Sequence, residues 1–377
     1  MPDGGRPIVN PTLRVTALAD ISRRGKGRRR IEVTDPRTLR LLLATAAGGG
    51  RPRLDRGLAR RLLREGILVR PAEVPGEVDL DPRLGPTGLP RTPAAAGEAG
   101  GRLRAGCRLS RGPGLPAAIA RRLGSVEPFL PAEDILWVRH PGSGMQLPYT
   151  LTPEVERAVR RLRRGRATLP GSITSVLRAV GAVGAPGDVA RERAAWQRRV
   201  RGWRRALRAS GHAVLRDLFT PIVVTAVRAY CRRLEREGYL LGGDARRRGR
   251  PVVHDEPLLA FLGAQLAAVV RQVTRERASS TFSFLRIYDP GAALAPHRDN
   301  PVARWNIDLV VGGEPPPSRR TAWPFWIAAR PGRRAVRLGL GDAVLYRGTH
   351  LTHWRAAQPA GRSTVLACFH YGPGNSG

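Results

Sequence analysis

Thr281-Phe-Ser-Phe-Leu-Arg-Ile-Tyr-Asp-Pro-Gly-Ala-Ala-Leu-Ala-Pro-His-Arg-Asp299 is the stretch whose reading decides the C-terminal half. Thr281 to Tyr288 is apolar at strand spacing, Asp289-Pro290-Gly291 breaks it with turn chemistry, and Ala293 to Pro296 is a second short run. Outward from there the pattern repeats. Trp305 to Val311, Trp323 to Ala328, Ala335 to Leu338, Ala343 to Tyr346 and Thr364 to Tyr371 read as strands, with Pro315, Pro316 and Pro317 as another break. Many short strands at this spacing predict an antiparallel barrel or jelly roll. Helical period marks Leu215 to Tyr239 and Leu258 to Thr274 ahead of them.

The same stretch carries the chemistry. Side chains two apart on a strand point the same way, so His297 and Asp299 share a face and Arg298 points away. His353, some fifty residues later, offers a third ligand. Two imidazoles and one carboxylate are the donor set that holds one face of Fe(II) and leaves three positions open. His350 is a rival for the distal role, but its spacing to Arg362 is longer. Arg362-Ser-Thr364 follows His353 by nine residues. A guanidinium fork suits a carboxylate bidentately, Thr364 adds a hydroxyl on the same face, and Tyr288 on a neighbouring strand is a further candidate. His254-Asp255-Glu256 stands before Pro257 and a helix, so it reads as a cap. His370 reads as a packed histidine and Asp342 as the residue fixing the turn after Gly341. Trp305, Trp323, Trp326 and Trp354 read as core or pocket wall. His140 and His212 belong to no constellation.

The 377 residues allow two or three domains. Net charge is +35, and Lys26 is the only lysine among 65 basic residues. Such an excess attracts polyanions, which makes nucleic acid a candidate partner beside a peptide or protein. Residues 1–30 read as a flexible basic N-terminus. Residues 31–190 read as a mainly helical recognition region. Within it 31–70 and 150–185 share a skeleton, Leu62-Leu-Arg-Glu-Gly66-Ile-Leu68 against Leu177-Arg-Ala-Val-Gly181-Ala-Val183. That similarity suits either duplicated winged-helix-like modules or two ordinary helical hairpins. Residues 71–125, rich in Pro, Gly and Arg, read as linker. Residues 191–209 read as an Arg-rich connecting helix with Trp196 and Trp203 on one side, ahead of a domain at 210–377. The fold class is therefore α+β. Cys107, Cys231 and Cys368 lack disulfide or zinc spacing and suit a reducing compartment. No apolar run approaches a membrane span and no leader pattern opens the chain, so the expectation is a cytoplasmic protein with no membrane partner.

Residues from about 210 to 373 resemble the Fe(II)/2-oxoglutarate-dependent dioxygenases, particularly their prolyl-hydroxylase-like branch. The matching residues are Tyr288-Asp-Pro-Gly-Ala292, His297-Arg-Asp299, Gly341-Asp342-Ala-Val-Leu345, His353 and Arg362-Ser-Thr364. The resemblance implies a double-stranded β-helix (jelly roll) with flanking helices, the H-x-D after its second strand and the distal histidine near its seventh. It implies Fe(II) on His297, Asp299 and His353, which are then the catalytic residues. It also implies 2-oxoglutarate as cosubstrate on Arg362, Thr364 and Tyr288, O2 as oxidant and ascorbate as a candidate reductant. The implied reaction hydroxylates a peptide, protein or amino acid and releases succinate and CO2. The family often has Ser where Thr364 stands, a conservative difference. Asp299 disfavours halogenation, because halogenases of the family usually lack the carboxylate. The charge keeps two other functions open: an oxygenase directed at nucleic acid, and a non-catalytic nucleic-acid-binding regulator that senses iron or 2-oxoglutarate. Oligomeric state has no motif in the sequence.

Overall fold

The computed structural model describes residues 78–85, 99–112, 115–123, 129–165, 167–185, 187–240, 250–329 and 332–373. Before them it describes four positions (Gly57, Ala59, Arg60, Leu63) and the antiparallel pair β1 (Ile8–Val9) and β2 (Leu68–Val69). The flexible N-terminus and most of the first proposed module, 31–70, lie outside the described residues.

The described part of the N-terminal half is not mainly helical. β3 (Arg83–Leu84), β4 (Ala99–Gly101), β5 (Cys107–Arg111) and α1 (Ala117–Leu123) occupy the expected linker. β6 (Asp134–Arg139) and β7 (Gln146–Leu151) come next, and β3-β7-β6-β5 make one four-stranded sheet. Ile135, Leu136, Trp137 and Val138 in β6 are all buried. A strand covered on both faces has no alternation, so periodicity could not reveal it. In the second proposed module, α2 (Pro153–Arg164) buries Val155, Ala158, Val159 and Leu162, the stripe expected from sequence. Glu154 and Glu156 in its first turn and Arg161, Arg163 and Arg164 in its last complement the helix dipole. β8 (Ala167–Leu169) then pairs with β4, and α3 (Gly171–Ala179) packs on α2. Val183 makes only an isolated bridge to Leu103, so the helix–turn–helix–strand expectation misses a strand and gains a sheet partner from the supposed linker.

α4 (Asp188–Ser210) is the connecting helix, burying Trp196, Val200 and Trp203. The two indoles meet edge-on with centroids 5.3 Å apart, and Arg199 lies over both. β9 (His212–Leu215) occupies the start of the expected helix, and α5 (Pro221–Arg236) carries the rest. After β10 (Val252–His254) comes α6 (Pro257–Thr274). This helix is apolar and long enough to cross a membrane by composition, contrary to the sequence reading, but 61% of it is buried in the fold. It is a core helix. Phe129 packs tilted and Trp137 edge-on against its Phe261, and Gln265 exchanges two hydrogen bonds with the Gln146 backbone.

Glu256 caps α6 as its position before Pro257 implies, accepting from Leu258 N and Leu259 N at 3.2 Å each. It also accepts from the buried Tyr230 hydroxyl. Removing this carboxylate loses a cap and orphans a buried hydroxyl. Glu256→Ala is expected to cost about 2–4 kcal/mol in a denaturant titration, with the slope unchanged.

The C-terminal strands are β11 (Ser279–Tyr288), β12 (Leu294–His297), β13 (Trp305–Gly312), β14 (Phe325–Ala328), β15 (Arg333–Val336), β16 (Ala343–Tyr346), β17 (His353–Arg355) and β18 (Thr364–Gly372). All but β17 were expected, within a few residues. They pair antiparallel from the outside inward: β11 with β18, β12 with β17, β13 with β16, β14 with β15. Two sheets result, β10-β11-β18-β13-β16-β9 and β12-β17-β14-β15.

Alternation assigns the two faces of the larger sheet. Leu285, Ile307, Leu309, Ala367 and Phe369 join the core shared with α5 and α6. Tyr288, Val310, Val344, Leu366 and Cys368 join a second core with Phe325, Ile327 and Val336 of the smaller sheet. Helices therefore back one sheet, and the other sheet closes its front. The site lies in that front space.

Candidate metal centre

β12 and β17 are paired with His297 opposite His353, so pairing register alone makes the two imidazoles neighbours. Their ring centroids are 4.2 Å apart. Asp299 follows two residues after His297, and Asp299 N donates to Gly348 O at 3.0 Å, which tucks the carboxylate against both rings. Asp299 Oδ1 is 3.6 Å from His297 Nε2, and Oδ2 is 3.6 Å from His353 Nε2. One donor atom from each of the three residues lies within 4.8 Å of the others. Among the described residues this is the one His/Cys/Asp/Glu group able to hold a metal.

Both imidazoles are oriented by the backbone. His297 Nδ1 donates to Ala295 O and His353 Nδ1 to Leu351 O, each at 2.9 Å. With Nδ1 carrying the proton, Nε2 presents its lone pair, as a metal-ligating histidine requires. Asn306 Nδ2 donates to Asp299 Oδ2. Phe325 and Tyr346 pack on His353, which is 2% exposed, while His297 is 37% exposed. The centre is walled on the His353 side and opens beside His297. The donor set and its backbone anchoring fit a divalent iron ion.

Charge coupling separates the histidines. Burial lowers the His353 imidazole more than Asp299 lifts it. Burial also lowers His297, but hydrogen bonds to Asp299 and to Ala295 O outweigh it and leave the group above the usual histidine value. Asp299 is lifted by burial, yet His297 and His353 hold it below the usual carboxylate range. A proton on His297 competes with metal, so affinity is expected to fall once pH drops through that raised value, beginning above about 6.5 and steepening to about tenfold per unit. In the metal-free protein the same raised value stabilises the fold below about pH 6.5, and that contribution is lost as pH rises through it. Metal titrations at stepped pH, with thermal melts of the metal-free protein, check both signs.

The other sequence candidates divide. Tyr288 and Thr364 are cross-strand partners on β11 and β18, both buried. Thr364 Oγ1 accepts from Gln358 Nε2 at 3.0 Å. Arg362 does not join them through a hydrogen bond: its Nη1 donates to Thr321 O at 3.3 Å, and it is half-buried on the loop before β18. His350 is exposed and bonds Thr349 Oγ1, outside the triad. Asp342 holds Gly339 N and takes a bidentate grip from Arg319, fixing the Gly341 turn as expected. His370 stacks on Phe282, and His140 Nδ1 accepts from Ser143 N.

Sequence reasoning missed five residues. Asn306 and Gly348 support Asp299, while Arg286 and Arg355 lie in the space between the sheets. Asp308, also in that space, is pushed up to about 6 by burial, with Arg355 opposing. The alternation in Trp305-Asn-Ile-Asp308 was the available signal, but alternating polar residues ordinarily mark a solvent face.

No protein-family model and no curated protein matches the chain. Among solved structures it is similar to a prolyl-4-hydroxylase from Pseudomonas putida, with 18% identity and TM-score 0.39 over 46% of this chain and 98% of that one. It is similar to HygX from Streptomyces hygroscopicus, solved with nickel and 2-oxoglutarate, at 16% identity and TM-score 0.38 over 46% and 87%. A Trichoplax adhaerens prolyl hydroxylase, solved with a peptide fragment of the hypoxia inducible factor oxygen degradation domain, shares 13% identity at TM-score 0.40 over 46% and 90%. At these scores any functional reading has to stand on the side chains of the site.

Proposed function

We propose that the C-terminal half is a non-haem Fe(II)/2-oxoglutarate-dependent oxygenase built on a double-stranded β-helix. One observation carries the reading: His297, Asp299 and His353 converge with both Nε2 atoms turned toward the Asp299 carboxylate and both Nδ1 atoms tied to backbone carbonyls. The nested pairing supports the fold, since the H-x-D closes the second of eight strands and the distal histidine opens the seventh. Bound there, iron with 2-oxoglutarate and O2 supplies the oxidising chemistry, with succinate and CO2 as co-products.

The chain's own residues do the rest. Asn306 holds the Asp299 carboxylate in place, and the backbone carbonyls keep both imidazoles in one tautomer. Phe325 and Tyr346 keep water from the His353 side. The opening beside His297 is where a peptide, protein side chain or amino acid reaches the metal. Succinate formation by anaerobically Fe(II)-loaded protein given 2-oxoglutarate and then O2 tests the proposal. Turnover lost in His297→Ala supports it, whereas equal succinate from both proteins contradicts it.

A nucleic-acid substrate is the second reading, favoured by α4. Arg191, Arg198, Arg201, Arg205 and Arg208 are exposed at spacings of seven, three, four and three, which sets them as one stripe. If the stripe grips phosphates, duplex binding is expected to weaken with salt at a log–log slope of about −4 or steeper, and to flatten when three of these arginines become glutamine. A flat salt dependence in the wild type leaves the peptide-directed reading alone.

A further inference from the structure

The smaller sheet has an inner face that closes over the triad and an outer face with two tryptophans on it. In β14, Phe325 and Ile327 point inward and are 0% exposed, so Trp326 between them points out. In β17, His353 and Arg355 are the buried inward pair and Trp354 points out. Trp326 and Trp354 are cross-strand partners, and their rings lie nearly parallel, 9° apart in plane with centroids at 6.1 Å. Both are half-buried on this outer face, where sequence alone suggests core or pocket wall.

Their neighbours across the sheet are small. Ala335 stands opposite Trp326, and a bulge in β12 sets Ala295 and Pro296 opposite Trp354; all three are exposed. The indoles therefore rise above the strands that flank them. Arginines frame the pair. Arg333 and Arg337 lie two residues either side of Ala335, on its face by strand alternation, and both are exposed. Arg298 is exposed at the opposite edge, its Nε donating at 3.3 Å to Oγ1 of Thr352, two residues before Trp354. Among the described residues none of these three arginines is ion-paired. Between Glu314 and Asp342 the chain holds six arginines and no acid, and beyond Asp342 it holds no acid at all. Asp299, at the end of β12, is turned to the triad on the inner side.

A cross-strand aromatic pair stabilises a sheet by itself, so two adjacent indoles have a structural use. That use requires neither the frame of cations nor the lack of acid around it. We infer that this face is a docking surface for single-stranded nucleic acid, whose unpaired bases stack on Trp326 and Trp354 while its phosphates lie against Arg298, Arg333 and Arg337. A ligand with a flat ring and a negative charge in every unit matches indoles set among guanidinium groups. A duplex keeps the faces of its bases stacked on one another, and a proline-rich peptide offers rings without charge. The surface is on the far side of the sheet from His297 and His353, so it requires no metal and no turnover. It rests on neither the iron reading nor the phosphate stripe of α4.

The test is fluorescence anisotropy of the full-length, metal-free protein with a short labelled oligothymidylate, an abasic oligomer of equal length and charge, and oligoproline. Wild type is expected to bind the oligothymidylate about tenfold or more tighter than the abasic oligomer. Trp326→Ala and Trp354→Ala are each expected to weaken oligothymidylate binding about fivefold or more and to leave the abasic oligomer within about twofold. A variant that had merely lost structure would not separate the two ligands. The combined Arg298→Gln, Arg333→Gln and Arg337→Gln variant is expected to make the log–log salt slope shallower by about 2 and to keep the preference for bases. Equal wild-type affinity for the two oligomers overturns the inference, a result that needs no variant to fold. So does preference retained in both tryptophan variants but lost when the α4 arginines become glutamine, which moves single-strand binding to that helix. A wild type that binds oligoproline through the two indoles and ignores the oligothymidylate overturns it in favour of a peptide platform.

Discussion

His297→Ala is expected to weaken Fe(II) binding by at least about 100-fold and to take succinate formation to background, while leaving the metal-free fold intact. The first part follows from donor count, since two protein ligands remain where three held the ion, and even changes behind a ligand cost about 10–100-fold. The second follows from position, because the His297 side chain is 37% exposed and no aromatic ring other than His353 packs on it among the described residues. His353→Ala makes the informative contrast. It removes an equally essential ligand, but from a site 2% exposed and packed against Phe325 and Tyr346. That variant is expected to lose metal and also about 1–3 kcal/mol of stability through the cavity it leaves. Paired metal titrations and denaturant curves separate the two. Wild-type metal affinity in either variant would remove that histidine from the ligand set.

Gly348→Ala carries the second large effect, although Gly348 offers no donor side chain. A Cβ there clashes with Asp299 Oδ2 and Asn306 Nδ2 and lies 3.1 Å from Ala303 O. Something must move. The carboxylate is the softest of the three, because Ala303 O is backbone and Asn306 stands on fully buried β13. The methyl group therefore pushes Asp299 away from both imidazoles and breaks its bond from Asn306. Metal affinity is expected to drop about 10–100-fold, the range for a displaced supporting contact, with secondary structure by circular dichroism unchanged. Unaltered affinity in a folded Gly348→Ala protein would mean that Asp299 does not need this position to bind.

The C-terminal strands and the triad were legible because each rests on a short-range rule. Period two gave the strands, the H-x-D spacing at the end of β12 gave two of the three clustered side chains, and spacing chose His353 over His350. β17 was missed because His353–Arg355 is only three residues long and too short to show a period. The N-terminal sheet was hidden for a different reason. β6 is buried on both faces, and β3 and β5 are short pieces inside Pro- and Gly-rich sequence that resembles linker. The supporting shell of the metal centre was equally hidden. Asn306 and Asp308 alternate with Ile307 and Leu309, the signature of a half-exposed strand, yet all eight residues of β13 are buried. Only the second sheet closing over that face turns them into interior polar groups. Arg355 and Arg362 are both arginines near the distal histidine, and nothing in their spacing says which one points inward.

The most direct measurement is an anaerobic calorimetric titration of 2-oxoglutarate into the wild-type protein, with and without one equivalent of Fe(II). One site per chain, bound at least about tenfold more tightly when iron is present, is the result expected if His297, Asp299 and His353 hold an ion that the oxo acid chelates. Binding that ignores iron, or no binding with iron seated, would contradict the assignment of this centre.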